Sequence, residues 1–169
     1  MLRSGTSRRS DSPWASPLQL FPKKEDGWRP CGDYRALNAR TVPIQYPVRH
    51  IADFAHQLAG RKDFSTIDLL KAYNQIPVHP EEVAKTAIFT PVGLFEYMSF
   101  GRRNTAQTFQ RFIDEVLRAM NFCYAYIDDV LVASTSEEEH DQHLRTLFQR
   151  FSDLVSCRIQ PNGFLVRRK

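Results

Sequence analysis

The stretch Phe122-Cys-Tyr-Ala-Tyr-Ile-Asp-Asp-Val-Leu-Val-Ala133 constrains this chain more than any other. Two short apolar runs, each of the kind that forms a buried strand, are interrupted by the adjacent carboxylates Asp128 and Asp129. Taking bare carboxylates out of water is very costly, so the pair must be solvated, ion-paired or metal-bound. The pattern therefore predicts strand, tight turn, strand, with the carboxylates at the turn. Two readings stay open at this level. Asp-Asp is ordinary turn chemistry, and it is also a way for a sheet to hold out oxygen ligands to a cation.

Length and composition set the frame. At 169 residues the chain is one domain or a piece of a larger one, and 42% hydrophobic content with 12% aromatics excludes a disordered chain. A net charge of +4 fits a polyanionic partner such as nucleic acid without deciding for one. Three widely spaced cysteines, Cys31, Cys123 and Cys157, argue against a disulfide framework or a zinc site. A reducing, intracellular compartment is expected. His140 and His143 sit beside Glu137–Glu139, where a solvated helix face is expected rather than a metal site. No apolar run approaches the roughly 18 residues of a membrane span. Residues 1–17 are polar, with Pro13 and Pro17, and read as a flexible lead-in rather than a secretory signal.

Leu18–Phe21 alternates like a strand, and Trp28–Asp33 follows the turn Glu25-Asp26-Gly27, which predicts a β-hairpin with a basic tip. Ile51, Phe54, Ala55 and Leu58 share a helical face that Gly60 would close. Phe64–Leu69 reads as a strand, and Thr86–Thr90 and Gly93–Tyr97 as two more. Phe109, Phe112, Ile113, Val116, Leu117 and Met120 line one face of a helix over 104–120. Ser136 and Glu139 form a capping box ahead of a helix whose inner face is Leu144, Leu147, Phe148, Phe151 and Leu154. Irregular interleaving of strands and helices predicts an α+β architecture, with helices packed on one face of a mainly antiparallel sheet.

Asp68 closes the Phe64–Leu69 strand. If that strand neighbours the Asp128–Asp129 hairpin, three carboxylates converge at one sheet edge. Mg²⁺ needs only one or two carboxylates beside substrate phosphates. Lys23, Lys24 and Arg29 lie on the basic hairpin, where Arg can clamp a phosphate bidentately and Lys acts as a point charge. Tyr73, five residues past Asp68, is placed to line the same pocket.

Beyond these local patterns, residues 12–162 resemble the reverse transcriptase domain of Ty3/gypsy-type long-terminal-repeat retrotransposons. The matching stretches, in order, are Ser12-Pro-Trp-Ala-Ser-Pro17, Pro22-Lys-Lys, Trp28-Arg-Pro-Cys-Gly-Asp-Tyr-Arg-Ala-Leu-Asn38, Phe64-Ser-Thr-Ile-Asp-Leu69, Ala72-Tyr-Asn-Gln-Ile76, Lys85-Thr-Ala87, Gly93-Leu-Phe95, Phe100-Gly101, Asn104-Thr-Ala-Gln-Thr-Phe-Gln-Arg-Phe112 and Tyr126-Ile-Asp-Asp129. The resemblance implies a polymerase palm with a fingers subdomain over 18–162, and leaves 163–169 as an unmatched tail. It implies an RNA-directed DNA polymerase that adds dNTPs to a primer 3′-hydroxyl on an RNA or DNA template. Asp68, Asp128 and Asp129 would be the catalytic carboxylates and would hold two Mg²⁺ ions, with Mn²⁺ as the alternative. Lys23 or Lys24, Arg29 and backbone amides around Leu69 and Leu70 would meet the triphosphate. Tyr73 would pack under the sugar and reject a 2′-hydroxyl, and Phe100 and Gly101 would line the nucleotide pocket.

The chain also departs from the family pattern. Ser99 stands where the family has a proline and Arg102 where it has an apolar residue. Gln160-Pro-Asn-Gly-Phe164 lacks the lysine the family places nearby. The family's primer grip, thumb, RNase H and integrase segments are not in this sequence. A truncated, non-catalytic remnant that binds nucleic acid is therefore the alternative expectation.

Overall fold

The computed structural model describes residues 7–22, 27–48, 51–69, 72, 78–97, 103–155 and 164–168. Its strands are β1 (Ser7–Arg9), β2 (Ser16–Pro22), β3 (Trp28–Gly32), β4 (Asp63–Leu69), β5 (Ile88–Thr90), β6 (Gly93–Tyr97), β7 (Cys123–Tyr126), β8 (Asp129–Ser134) and β9 (Phe164–Arg168). Its helices are α1 (Arg35–Arg40), α2 (Ala55–Leu58), α3 (Pro80–Val83), α4 (Thr105–Val116) and α5 (Glu137–Val155), with 3-10 turns at Ile51–Phe54 and Ala84–Thr86. The chain divides into two compact units, Met1–Pro43 with Ile76–Thr105, and Ile44–Gln75 with Ala106–Lys169.

The first unit carries a five-stranded sheet in the order β1-β6-β5-β2-β3. The expected hairpin is present, with Leu18 opposite Gly32 and Pro22 opposite Trp28. β2 also pairs in parallel with β5, Ser16 opposite Ile88. The core gathers under that junction. Tyr34 is buried and donates its hydroxyl to the Thr86 carbonyl at 2.8 Å. Gly32 is required there, because a Cβ would stand 2.6 Å from Ile88 Cδ1 and 2.8 Å from the Tyr34 ring. Two expectations change. Thr86 belongs to a 3-10 turn rather than a strand. The lead-in expected to be flexible contains β1, because Glu96, nearly buried, binds Arg8 at 2.8 Å and Ser10 at 2.6 Å.

The second unit carries an antiparallel sheet in the order β7-β8-β4-β9. The segment that matched nothing in sequence supplies β9, which pairs with β4 from Ser65 opposite Arg168 to Leu69 opposite Phe164. Alternation splits the β4–β8 ladder into two faces. Ser65, Ile67, Leu69, Val130, Val132 and Ser134 share one face, and Phe64, Thr66, Asp68, Asp129, Leu131 and Ala133 share the other.

Helix α5 covers the first face. His140, wholly buried, places Nε2 2.8 Å from Ser65 Oγ and Nδ1 2.8 Å from Ser134 Oγ. The solvated face expected for His140 and His143 is therefore incorrect. Helical spacing puts His140 one heptad before buried Leu147, on the inner face. His143 Nδ1 also meets Ser134 Oγ at 2.8 Å, and its ring stacks on Phe122 at 3.7 Å. The cap ahead of α5 is shifted by one residue from the expected box. Glu139 N–H donates to Ser136 Oγ, but the Glu139 carboxylate reaches back to Thr135 N–H at 2.7 Å.

The Ile51–Leu58 segment lies on the second face, where Phe54 packs on Tyr124 with ring centroids 4.9 Å apart, beside Leu58, Phe64, Leu131 and Ala133. Gly60 follows with φ +79°, the left-handed helix stop predicted for it. Helix α4 ends at Val116, earlier than predicted. Tighter bonds from Arg118 N–H to Glu115 O and Met120 N–H to Leu117 O close it, and Ala119 turns left-handed at φ +68°.

Candidate active site

The candidate site lies at the end of the second face away from Phe54 and Phe64. Asp68 and Asp129 are direct cross-strand partners in the β4–β8 ladder. Like charges placed opposite each other on one face destabilise a sheet. Asp128 lies one residue before Asp129, in the two-residue turn Ile127-Asp128 between β7 and β8, where Tyr126 faces Asp129 across the ladder. The turn is pinned to β4, because Leu69 N–H donates to the Asp128 carbonyl at 3.0 Å. Among the described residues, no hydrogen bond or ion pair takes up the Asp68 or Asp128 carboxylate. Both side chains are part-exposed and Asp129 is exposed.

Local sequence explains the geometry. Buried Cys123, Tyr124 and Ala125 on one side, and Val130, Val132 and Ala133 on the other, anchor both strands, so the loop between them is short and polar. Its first residue, Ile127, has φ +56°, the sign that tight hairpin turns require at this position and that Gly usually supplies. The N–H of Ile127 donates to Gln110 Oε1 at 2.8 Å. Sequence reading passed over Gln110. The signal was available, since Gln110, Ile113 and Leu117 share a helical stripe and a lone polar residue there needs an internal partner. Cys123 carries no nucleophile, because burial pushes its thiol up to about 12.

The donor set suits a hard divalent cation. Mg²⁺ dehydrates reluctantly and is held by one or two carboxylates with substrate phosphates rather than by a full protein cage. No three His, Cys, Asp or Glu side chains among the described residues form such a cage. The register sets Asp68 and Asp129 opposite each other, with Asp128 on the adjoining turn.

The sequence profile of the reverse transcriptase (RNA-dependent DNA polymerase) family matches residues 21–162. The chain belongs to the reverse transcriptase family. The retrovirus-related Pol polyprotein from transposon 297 of Drosophila melanogaster is 38% identical over 162 residues, which is 90% of this chain. That from transposon gypsy of the same organism is 34% identical over 163 residues, again 90% of this chain. These relatives are Pol polyproteins of Ty3/gypsy-type elements, as the motifs implied. The chain spans 15% of the first and 16% of the second. A foamy viral protease-reverse transcriptase solved in complex with ds DNA superposes with a TM-score of 0.83 at 22% identity, covering 98% of this chain and 28% of that one. The same protein with an RNA/DNA hybrid gives 0.82 at 23% identity, covering 98% of this chain and 21% of that one. The fold is thus the α+β polymerase palm with fingers. Divalent metals serve this family generally.

Of the residues expected at a reverse transcriptase site, the structure brings Asp68, Asp128 and Asp129 together at one end of the second unit's sheet. Leu69 is beside them, buried, with its N–H donating to the Asp128 carbonyl. Arg29 is exposed on β3 in the first unit, opposite Phe21. Lys23, Lys24, Leu70, Tyr73, Phe100 and Gly101 lie outside the described residues.

Proposed function

We propose that this chain is the polymerase segment of a retrotransposon reverse transcriptase and transfers dNTPs to a primer 3′-hydroxyl on an RNA or DNA template. The single observation that carries this reading is the Asp68–Asp129 cross-strand pair with Asp128 on the adjoining turn. Strand pairing holds two negative charges together that would otherwise separate, and a bound cation turns that repulsion into affinity. Asp68, Asp128 and Asp129 would hold two divalent ions, Mg²⁺ or Mn²⁺. Such ions activate an attacking hydroxyl and stabilise a leaving phosphate.

The remaining roles follow the family motifs. Lys23 or Lys24 and Arg29 would neutralise the triphosphate, with the Leu70 amide beside them. Tyr73 would exclude a 2′-hydroxyl by bulk under the sugar, and Phe100 and Gly101 would border the base pair. Nucleic acid as partner is supported by the foamy viral relatives, solved with ds DNA and with an RNA/DNA hybrid. In this proposal the first unit is the fingers and the second the palm.

Ser99 and Arg102 favour a second reading, a remnant that binds nucleic acid without extending it. A serine there removes the stiffness of a proline, and an arginine adds a charge that must reach water or a phosphate. Primer extension by the 169-residue chain on an RNA template, with Mg²⁺ and dNTPs, decides between them. Extension that disappears in Asp128→Asn supports catalysis. A folded protein that binds template-primer but extends nothing, with Mg²⁺ or Mn²⁺, establishes the remnant. A Tyr73→Ala variant that accepts rNTPs no better than the parent removes the sugar-gate role.

A further inference from the structure

Gln110 is the polar exception on the buried face of α4. Phe109, Ile113 and Val116 near it are apolar and buried, and Gln110 itself is 0% exposed. Both ends of its side-chain amide are used. Its Oε1 accepts the Ile127 N–H at 2.8 Å. Its Nε2 donates to the Ala125 carbonyl at 3.2 Å and to Asp114 Oδ1 at 2.9 Å. One amide thus bridges the end of β7 and the first residue of the turn. Asp114 is oriented in its own right, since its Oδ2 accepts the Tyr46 hydroxyl at 2.8 Å.

This relay permits one orientation of the amide. A flipped Gln110 would set its NH₂ against the Ile127 N–H and its oxygen against the Ala125 carbonyl and the Asp114 carboxylate. Three attractive contacts would become three repulsive ones, in an interior where each is stronger than in water. The residue held this way is itself unusual. Ile127 is β-branched and stands at φ +56°, a conformation such residues rarely keep without outside support. A turn released from Gln110 could relax toward negative φ. That rotation would carry Asp128 and the start of β8 away from their places beside Asp68.

We infer that Gln110 is a positioning residue for the carboxylate site. By holding Ile127 left-handed it sets where Asp128 and Asp129 stand relative to Asp68, and so sets the affinity of the site for a divalent cation. The inference rests on the reading of the three aspartates as cation ligands. It predicts that a side chain touching none of them tunes the site through the backbone of the turn.

The test uses the 169-residue chain with Mn²⁺ alone as probe, followed by electron paramagnetic resonance, and amide exchange of Ile127 followed by NMR. Gln110→Leu should speed exchange at Ile127 relative to Val130 and Val132, and should weaken Mn²⁺ binding by roughly tenfold or more, as loss of an outer-shell support does elsewhere. The double variant Gln110→Glu with Asp114→Asn exchanges donor and acceptor between the two side chains at constant charge. It keeps an acceptor for the Ile127 N–H but sets a carboxylate oxygen against the Ala125 carbonyl, so it should recover part of the Ile127 protection and of the Mn²⁺ affinity lost in Gln110→Leu, which a merely space-filling role would not. If Gln110→Leu does not fold, Gln110→Glu alone is compared with the double variant, and equal affinities overturn the inference. Mn²⁺ affinity unchanged in a folded Gln110→Leu also overturns it, whether or not Ile127 exchange has changed. Failure of the parent chain to bind Mn²⁺ would bring down the cation-site reading and the positioning role together, whereas parent binding that survives Gln110→Leu brings down the positioning role alone.

Discussion

The two ends of the β4–β8 ladder share the same strands, the same pairing and the same face, yet only one is core. At the Phe64–Ala133 end, Phe54 and Leu58 cover the sheet and Tyr124 fills in beside them. At the Asp68–Asp129 end no apolar cluster among the described residues covers the face, and the side chains are carboxylates. One end gains stability from excluding water. The other keeps a like-charge pair and a left-handed isoleucine, two features that lower stability and make sense if a cation and substrate occupy the place. A single ladder therefore carries a packed apolar cluster at one end and the candidate site at the other. The packed end clamps the strands in register, so the carboxylates cannot drift apart to relieve their repulsion.

Substitutions that treat the ends in opposite ways break the comparison most sharply. Asp128→Asn should reduce primer extension by roughly a thousandfold or more, since loss of a cation ligand removes several kcal/mol of transition-state stabilisation. Its urea midpoint should stay level or rise. A fall in stability alongside activity would make Asp128 structural. Phe54→Ala at the covered end should instead lower stability by about 3 kcal/mol or more through the cavity it leaves. Chemical denaturation reads this directly, and a change within error would mean the covered end is not the clamp.

On the opposite face, His140→Ala strands the Ser65 hydroxyl and leaves Ser134 with His143 alone, at about 2 kcal/mol in the same measurement. Ile127→Gly removes a β-branched residue from positive φ and should raise thermal stability by about 1 kcal/mol, with any loss of metal affinity reporting a looser turn. A midpoint that drops would show that the isoleucine side chain packs more than it strains.

The smallest effect is in pH. Burial holds His143 below its ordinary 6.5, against the pull of Glu139 and with Arg61 and His140 also acting to lower it. The folded state then binds fewer protons than the unfolded chain, so this contribution is complete above pH 6.5 and declines as pH falls through 6.5 toward the depressed folded value. The Thr135 hydroxyl and amide, with His143 and Arg61, keep Glu139 ionised below the ordinary carboxylate range. Its contribution is likewise present at neutral pH and is lost as pH falls through that depressed value. Urea midpoints at pH 7.5 and 5.5 should differ, with the lower pH less stable, and His143→Phe should shrink the difference. A pH-independent midpoint would show that the His143 environment is already open to water.

Much of this was readable because it rests on near neighbours in the chain. The Asp-Asp turn between apolar runs, the hairpin of β2 and β3, the Gly60 stop and the stripes of α4 and α5 are local patterns. They survived folding with shifts at their ends, as where α4 closes at Val116. The placement of Asp68, Asp128 and Asp129 at one sheet edge was likewise legible from strand ends and an ordered set of motifs. Three matters were not. His140 and His143 look solvent-facing in a run of acidic residues until one knows that Ser65 and Ser134, far away in sequence, stand ready to bond them. Residues 163–169 carry no recognisable motif, because an edge strand is defined by the strand it pairs with. Gln110 looks like one polar residue among several on a helix.

The sequence by itself determined most of the segments that form strands and helices, which family the chain resembles and which carboxylates it can offer. Those properties follow from side-chain period, turn chemistry and residue identity, all counted along the chain. Only the tertiary structure decided that Asp68 faces Asp129, that Gln110 holds Ile127, and that Phe54 covers one end of a ladder whose other end carries the aspartates. Each of these depends on register and on partners dozens of residues apart. Hydrogen bonds and burial act across space, and no local pattern records what stands on the other side.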